Sequence, residues 1–345
     1  MKKICVKSIV ACLLGTLATT FCVSCADMLD EKGFSFVNDK NIENNDEGAQ
    51  QWATGAFSVL TYEVFRWDAF PHVLDFDCDY MTGPDWAFGK FGSGNFQDDD
   101  HAQQMWEKMY NMIHRCNLGI ENVEAMTGTT PRGKDNAIGE MQVLRAYAYF
   151  LLVRAFGPIP IRDHTINSGL SDIHQPRQPI DSVYHYIIAN LQQAEQRLYK
   201  NTDREFSLGH VSAGTAASLL AKVYLTMASG AVPTGEKVIV RGGKAFEKVA
   251  GEKVYTNPVA IEHQKTQLEG YDKIDYMKYF ALARDKAKEV IDGKYGSYDL
   301  LPYDALWVIG NRNKVEHIWS LQTVSNDDIY GVSFGEGYAG VLGTA

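Results

Sequence analysis

Two aromatic-rich stretches carry the residues best suited to chemistry: Phe65-Arg-Trp-Asp-Ala-Phe-Pro, and Pro84-Asp-Trp-Ala-Phe-Gly-Lys-Phe-Gly-Ser-Gly-Asn-Phe. Aromatic rings beside Asp, Asn and Arg on irregular backbone suit a ligand with an apolar C–H face and a rim of hydroxyls, such as a sugar ring. Trp67, Trp86 and Phe88 are the stacking candidates, and Arg66, Asp85 and Asn95 the polar ones. The alternative role for each aromatic is to pin a long loop to neighbouring helices. A later group, Tyr298, Tyr303 and Trp307, offers a second set, although Leu306, Val308 and Ile309 around Trp307 argue for core packing there. Trp319 lies in an alternating pattern that reads as a structural strand position.

Catalytic chemistry is less well provided for. Glycoside hydrolysis needs two carboxylates across the scissile bond. Asp75, Asp77 and Asp79 alternate along one stretch and could share a face or offer oxygens to calcium, yet no EF-hand pattern surrounds them, and a solvated acidic loop is the simpler reading. His114, His185 and His210 lack metal-ligand spacing, and the glycines of Phe91-Gly-Ser-Gly lead to no Gly-Lys-Ser/Thr, which rejects a phosphate loop. No cofactor or metal is expected, and the chain reads as non-enzymatic.

The N-terminus determines where such a site would work. Lys2, Lys3 and Lys7 precede an uncharged run, Ile9 to Phe21, that is too short for a permanent membrane span but suits a signal-peptide core. Ser24 then precedes Cys25, as at a lipoprotein cleavage site, so Cys25 is the expected lipidation point and residues 1–24 the leader. Of six cysteines, only Cys78 and Cys116 then remain, as one bridge or as two buried thiols, and a disulfide framework or thiolate zinc site is excluded. The formal net charge is −10, and a leader with three lysines and no acid makes the remainder more negative still. That balance argues against nucleic acid and against a polybasic membrane patch.

The elements that must position these residues are mostly helical. Residues 25–45 read as an extended tether and 46–345 as a helical domain. Apolar residues recur at three- and four-residue steps over 47–64, from 101 to about 123, and over 137–156, 179–198, 211–227 and 276–291. Gly157-Pro158 stops the third of these, the clearest in the chain, and an extended run follows to Asp163. On that helix Leu144, Ala148, Leu151 and Ala155 form one buried side, so Arg145, Tyr147, Tyr149 and Arg154 read as scaffold. Asp98-Asp-Asp-His101 reads as a helix start. A long irregular loop spans 65–100, and 232–266 reads as a hairpin-like insertion. Helices in consecutive antiparallel pairs are the pattern of stacked helical hairpins.

Four stretches together resemble the SusD/RagB family of outer-membrane nutrient-binding lipoproteins: Cys25-Ala-Asp-Met-Leu-Asp-Glu-Lys; Val143-Leu-Arg-Ala-Tyr-Ala-Tyr-Phe through Gly157-Pro-Ile-Pro-Ile; Gly209-His-Val-Ser-Ala-Gly-Thr through Ala221-Lys-Val-Tyr-Leu; and Tyr279-Phe-Ala-Leu-Ala-Arg-Asp through Glu289-Val-Ile-Asp. The resemblance implies tetratricopeptide-like helix pairs in a right-handed superhelical scaffold, with irregular ligand-binding loops. It further implies capture of oligosaccharide, a SusC-like TonB-dependent outer-membrane barrel as partner, and membrane contact through the N-terminal lipid alone, the acid after Cys25 favouring display on the outer surface. Peptide or another nutrient is the alternative ligand, and a structural partner without a ligand site the alternative role. Members of the family usually continue beyond Gly340-Val-Leu-Gly-Thr-Ala, so the C-terminal part of the family fold is expected to be missing.

Overall fold

A computed structural model describes residues 42–60, 73, 100–166, 173–242, 246–257 and 259–321. The chain divides into two units, Met1–Glu43 and Asn44–Ala345, and every element named below belongs to the second. In order these are α1 (Asp46–Ser58), α2 (Asp100–Ala125), α3 (Pro131–Phe156), α4 (Ile180–Arg197), α5 (Ala213–Ala231), strands β1 (Lys237–Gly242), β2 (Phe246–Val249), β3 (Glu252–Tyr255) and β4 (Val259–Gln264), then α6 (Tyr276–Ile291) and the single turn α7 (Tyr303–Leu306). Each long helix from α2 to α6 packs on its sequence neighbour, and α1 lies on both α2 and α3. The result is a mostly α stack of helix pairs.

Local chemistry explains where the helices begin and end. The Asn45 side chain accepts the Gly48 N–H at 2.8 Å, capping α1. Thr130 caps α3 ahead of Pro131, and the Asp46 carboxylate accepts both the Thr130 N–H and its hydroxyl at 2.7 Å, so the two helix starts are tied together. Gly157, at φ +68°, closes α3 in a conformation that side chains resist, and Pro158 forbids another turn. Ser212 and Thr215 form a reciprocal capping box at the start of α5.

Helix α3 is central. It is buried on nearly every side from Asn136 to Val153, and Ala155 is exposed, which corrects the expectation of a single buried side through Ala155. The cause is position: α3 receives α1, α2 and α4 at once. Tyr149, Phe150, Leu151, Met141 and Leu144 are among the largest fully enclosed side chains, each contributing roughly 1.5–3 kcal/mol of burial. Close approach of α2 needs Gly119, where a Cβ would collide with the Met141 sulfur.

The expected insertion is a single long ribbon. β1 pairs with β4 and β2 with β3, both antiparallel, and Lys237↔Gln264 and Val249↔Glu252 lie on one continuous register. Ala250 and Gly251, both at positive φ, make the two-residue turn at its tip. Residues 316–320 do not form the expected strand. Trp319 is nevertheless structural, edge-on to Phe57 at 6.1 Å and to Tyr147 at 5.5 Å between ring centroids.

Candidate functional site

The site is built from one face of α2 and the extended segment after α3. Trp106, Tyr110, Ile113 and Asn117 follow at steps of four, three and four residues, and His114 lies four on from Tyr110, which places them on one side of the helix. Opposite them lie Pro160, Arg162, His164 and Ile166, and between the two walls is a cleft of about 230 Å³. That is room for about one pyranose ring, below the range of drug-sized pockets. Among the described residues, neither Asp nor Glu lines it.

A buried cation holds the second wall in place. The Arg145 guanidinium donates to Asn190 Oδ1 at 2.6 and 3.0 Å and to Asn117 Oδ1 at 2.7 Å. Asn117 in turn donates to the carbonyls of Arg162 and His164 at 3.1 and 3.0 Å. The Tyr149 hydroxyl clamps Arg162 from below, and Tyr110 donates to the Pro160 carbonyl at 2.7 Å. An isolated bridge between Ile159 and Gln178 secures the start of the segment. Arg145, Tyr147 and Tyr149 are therefore scaffold, as read from the sequence, but Arg145 also shapes the cleft.

Aromatic contacts stiffen the first wall. Trp106 is edge-on to Phe156 at 5.2 Å and tilted against Tyr110 at 4.9 Å, and the Arg177 guanidinium lies 5.6 Å from the Trp106 ring centre. Burial pushes the Tyr110 hydroxyl above the ordinary tyrosine range, against the pull of Arg162 and Arg177, so it stays a neutral donor. Cys116, one turn behind this face, is a free and fully buried thiol pushed up to about 12 by desolvation, which makes it inert as a nucleophile or ligand. Among the described residues no group of three His, Cys, Asp or Glu could hold a metal ion, and no helix is long and apolar enough to cross a membrane.

Of the candidates read from the sequence, Arg66, Trp67, Asp85, Trp86, Phe88 and Asn95 lie outside the described residues, as do Cys25, Cys78 and the Asp75–Asp79 carboxylates. Tyr298 is half-buried, its hydroxyl 2.9 Å from Ser212 Oγ and its ring against Gly214, and it does not line the cleft. Trp307 is not a core residue: it is 70% exposed, edge-on to the equally open Tyr303 at 6.2 Å, because the turn α7 presents both rings outward. The cleft residues of α2 escaped sequence reasoning because the apolar row Met105, Met109, Met112 and Cys116 dominates the helix. The signal was the parallel row one position on, Trp106, Tyr110, Ile113 and Asn117, with His114 beside it.

Comparison with known proteins adds a family likeness. Residues 79–225, which include most of the cleft's scaffold, match a SusD-like family model described as starch-binding, associating with the outer membrane. "SusD-like protein P2" of Formosa agariphila is 34% identical over 130 residues, which are 37% of this chain and 25% of that protein. Among solved structures, a SusD superfamily protein from Parabacteroides distasonis superposes with a TM-score of 0.60 at 23% identity, covering 85% of this chain and 53% of its own. The surface glycan-binding protein A of Bacteroides thetaiotaomicron superposes at 0.56 and 16% identity, covering 81% and 49%. The chain thus shares the fold of these structures, and it spans about half of their length and a quarter of that relative.

Proposed function

We propose that this SusD-like chain is a non-catalytic glycan-binding protein of the outer membrane, anchored by lipid at Cys25 and facing the exterior, which captures oligosaccharide and delivers it to a SusC-like TonB-dependent barrel. The family likeness over residues 79–225 supports the class. The cleft carries the reading: an aromatic wall of Trp106 and Tyr110 faces Arg162 and His164, with the exposed His114 at hand and, among the described residues, no carboxylate in the lining. Rings suit the C–H face of a pyranose, and imidazole and guanidinium groups suit its hydroxyls. Capture is an equilibrium, and no bond is broken. The stacking role of Trp67, Trp86, Phe88 and Tyr298 and the polar role of Arg66, Asp85 and Asn95 belong to the same proposal.

The test is titration of the full chain lacking its leader against a panel of polysaccharides by affinity electrophoresis and calorimetry. Binding to a panel member is expected, weakened about tenfold or more by Trp106→Ala, and by the exposed His114→Ala at unchanged melting temperature. Trp86→Ala tests the loop in the same way. Binding to no glycan, or binding indifferent to all three substitutions, overturns the reading. Co-purification of the lipidated chain with an outer-membrane barrel tests the delivery step.

A further inference from the structure

The ribbon of β1 to β4 stands apart from the helical stack. Its strands pack on each other, and among the described residues no helix meets it beyond marginal contact. Two strands without a third, or a helix to cover them, are marginal in water. Pleating sorts the ribbon's side chains by face. On one face each apolar residue stands across from an acid: Ile239 from Glu262, Val254 from Glu247 and Val249 from Glu252, with Lys237 joined to Glu262 at 2.8 Å. The other face carries Val238 across from His263, Val240 across from Ile261, and Val259 across from Gly242, with no Asp, Glu, Lys or Arg among them. Val240 and Val259 are 43% and 57% exposed. This apolar run has one charge at each end. Glu236 lies at the base, where its carbonyl accepts the Lys265 N–H and continues the register, and Lys248 lies near the tip. Both side chains are exposed, and among the described residues neither makes a hydrogen bond or ion pair.

We infer that this face docks on the same face of a second copy, the two ribbons antiparallel about a two-fold axis at Gly242 and Val259, so that each Lys248 meets Glu236 of the partner subunit. The register sets the axis: positions 236 and 248 are equidistant from 242. A two-fold contact must be self-complementary, and a face that is acidic at its base, apolar along its middle and basic near its tip meets that requirement when reversed on itself. The alternative face, with an acid across from every valine and isoleucine, would set carboxylates against one another. A face about 40 Å long and about 10 Å wide buries roughly 800 Å² over two copies, at the low end for specific contacts, so the dimer is weak and forms in the micromolar range or above. The inference is independent of the glycan-binding reading.

The experiment is sedimentation equilibrium of the full chain lacking its leader, under reducing conditions, from about one to several hundred micromolar. A monomer–dimer equilibrium is expected, weakened about tenfold or more by Val240→Lys. Lys248→Glu and Glu236→Lys should each weaken it by a similar factor, because each sets like charges against each other. An equimolar mixture of those two variants should associate as the parent chain does, since both charge contacts are then restored with reversed sign. All three positions are exposed, so the melting temperature stays unchanged and loss of the dimer is not loss of the fold. A chain that is monomeric at every concentration, a dimer indifferent to Val240→Lys, or single variants that their mixture does not rescue overturns the inference. So does a monomer that binds phosphatidylcholine–phosphatidylglycerol vesicles and loses them with Val240→Lys, which makes lipid the cover of this face.

Discussion

The Tyr149 hydroxyl makes two bonds to one residue: it accepts the Arg162 N–H at 2.7 Å and donates to the Arg162 carbonyl at 3.0 Å. A fully buried side chain of the central helix thereby sets the height of the extended segment that forms one wall of the cleft. Tyr149→Phe leaves the Arg162 N–H without its partner, while the carbonyl keeps Asn117. A loss of about 1–3 kcal/mol in urea unfolding is expected, together with weaker glycan retention. Full stability with unchanged retention would show that the segment is held by other contacts.

Stability should also depend on pH through His210 and Glu140, whose Nδ1 and Oε2 are 2.9 Å apart where α1, α3 and the start of α5 meet. The bond to Glu140 raises the His210 pKa above its ordinary value of 6.5, against the opposing effect of burial. The folded state therefore binds the proton more tightly than the unfolded chain. The pair's contribution is complete below about pH 6.5 and is lost as pH rises through the raised folded value. Melting temperature followed from about pH 5.5 to 9 should fall on this account, and Glu140→Gln should flatten that part of the profile.

Gly214 in the first turn of α5 leaves room for the Tyr298 ring, and a Cβ there would lie 2.6 Å from Tyr298 Cζ. Gly214→Ala should cost about 1–3 kcal/mol by overpacking. In a Tyr298→Ala background the same substitution should cost far less. A double-mutant cycle by denaturant titration measures the coupling, and additive effects would contradict it.

Lys286 of α6 joins Glu195 of α4 at 3.1 Å, Glu289 at 2.8 Å and the Tyr295 hydroxyl at 2.8 Å. The Glu195 side chain is only 7% exposed, so Lys286→Met strands a buried carboxylate. A loss of roughly 3 kcal/mol is expected, since removing one partner leaves the other uncompensated. Lys286→Met with Glu195→Leu should recover much of it, read as the midpoint of urea unfolding.

Trp307→Ser should change stability by less than about 0.5 kcal/mol, because its ring is already largely in water. A core tryptophan would cost several times more, so the thermal midpoint separates the observed placement from the one its apolar neighbours suggest.

The helices were legible in the sequence alone because their causes are local: three- and four-residue apolar spacing and the Gly157-Pro158 stop act within a turn or two, whereas the Thr130-Pro131 start, ahead of the expected 137, and the Ser212–Thr215 cap emerge only in the structure. The paired stacking and the ribbon between α5 and α6 could be read for the same reason. Trp307 was misjudged because its apolar neighbours belong to one short exposed turn, and burial is settled by what packs against a turn from elsewhere in the chain. The cleft belongs wholly to the tertiary structure. Trp106, Tyr110, His114 and Asn117 stand in sequence about fifty residues from Arg162 and His164, and they meet because a cation buried between α3 and α4 holds Asn117, which holds the second wall. Spacing along a chain records the periodicity of its own element; which remote side chains share a cavity is decided by packing, hydrogen bonding and the need to satisfy Arg145 away from water.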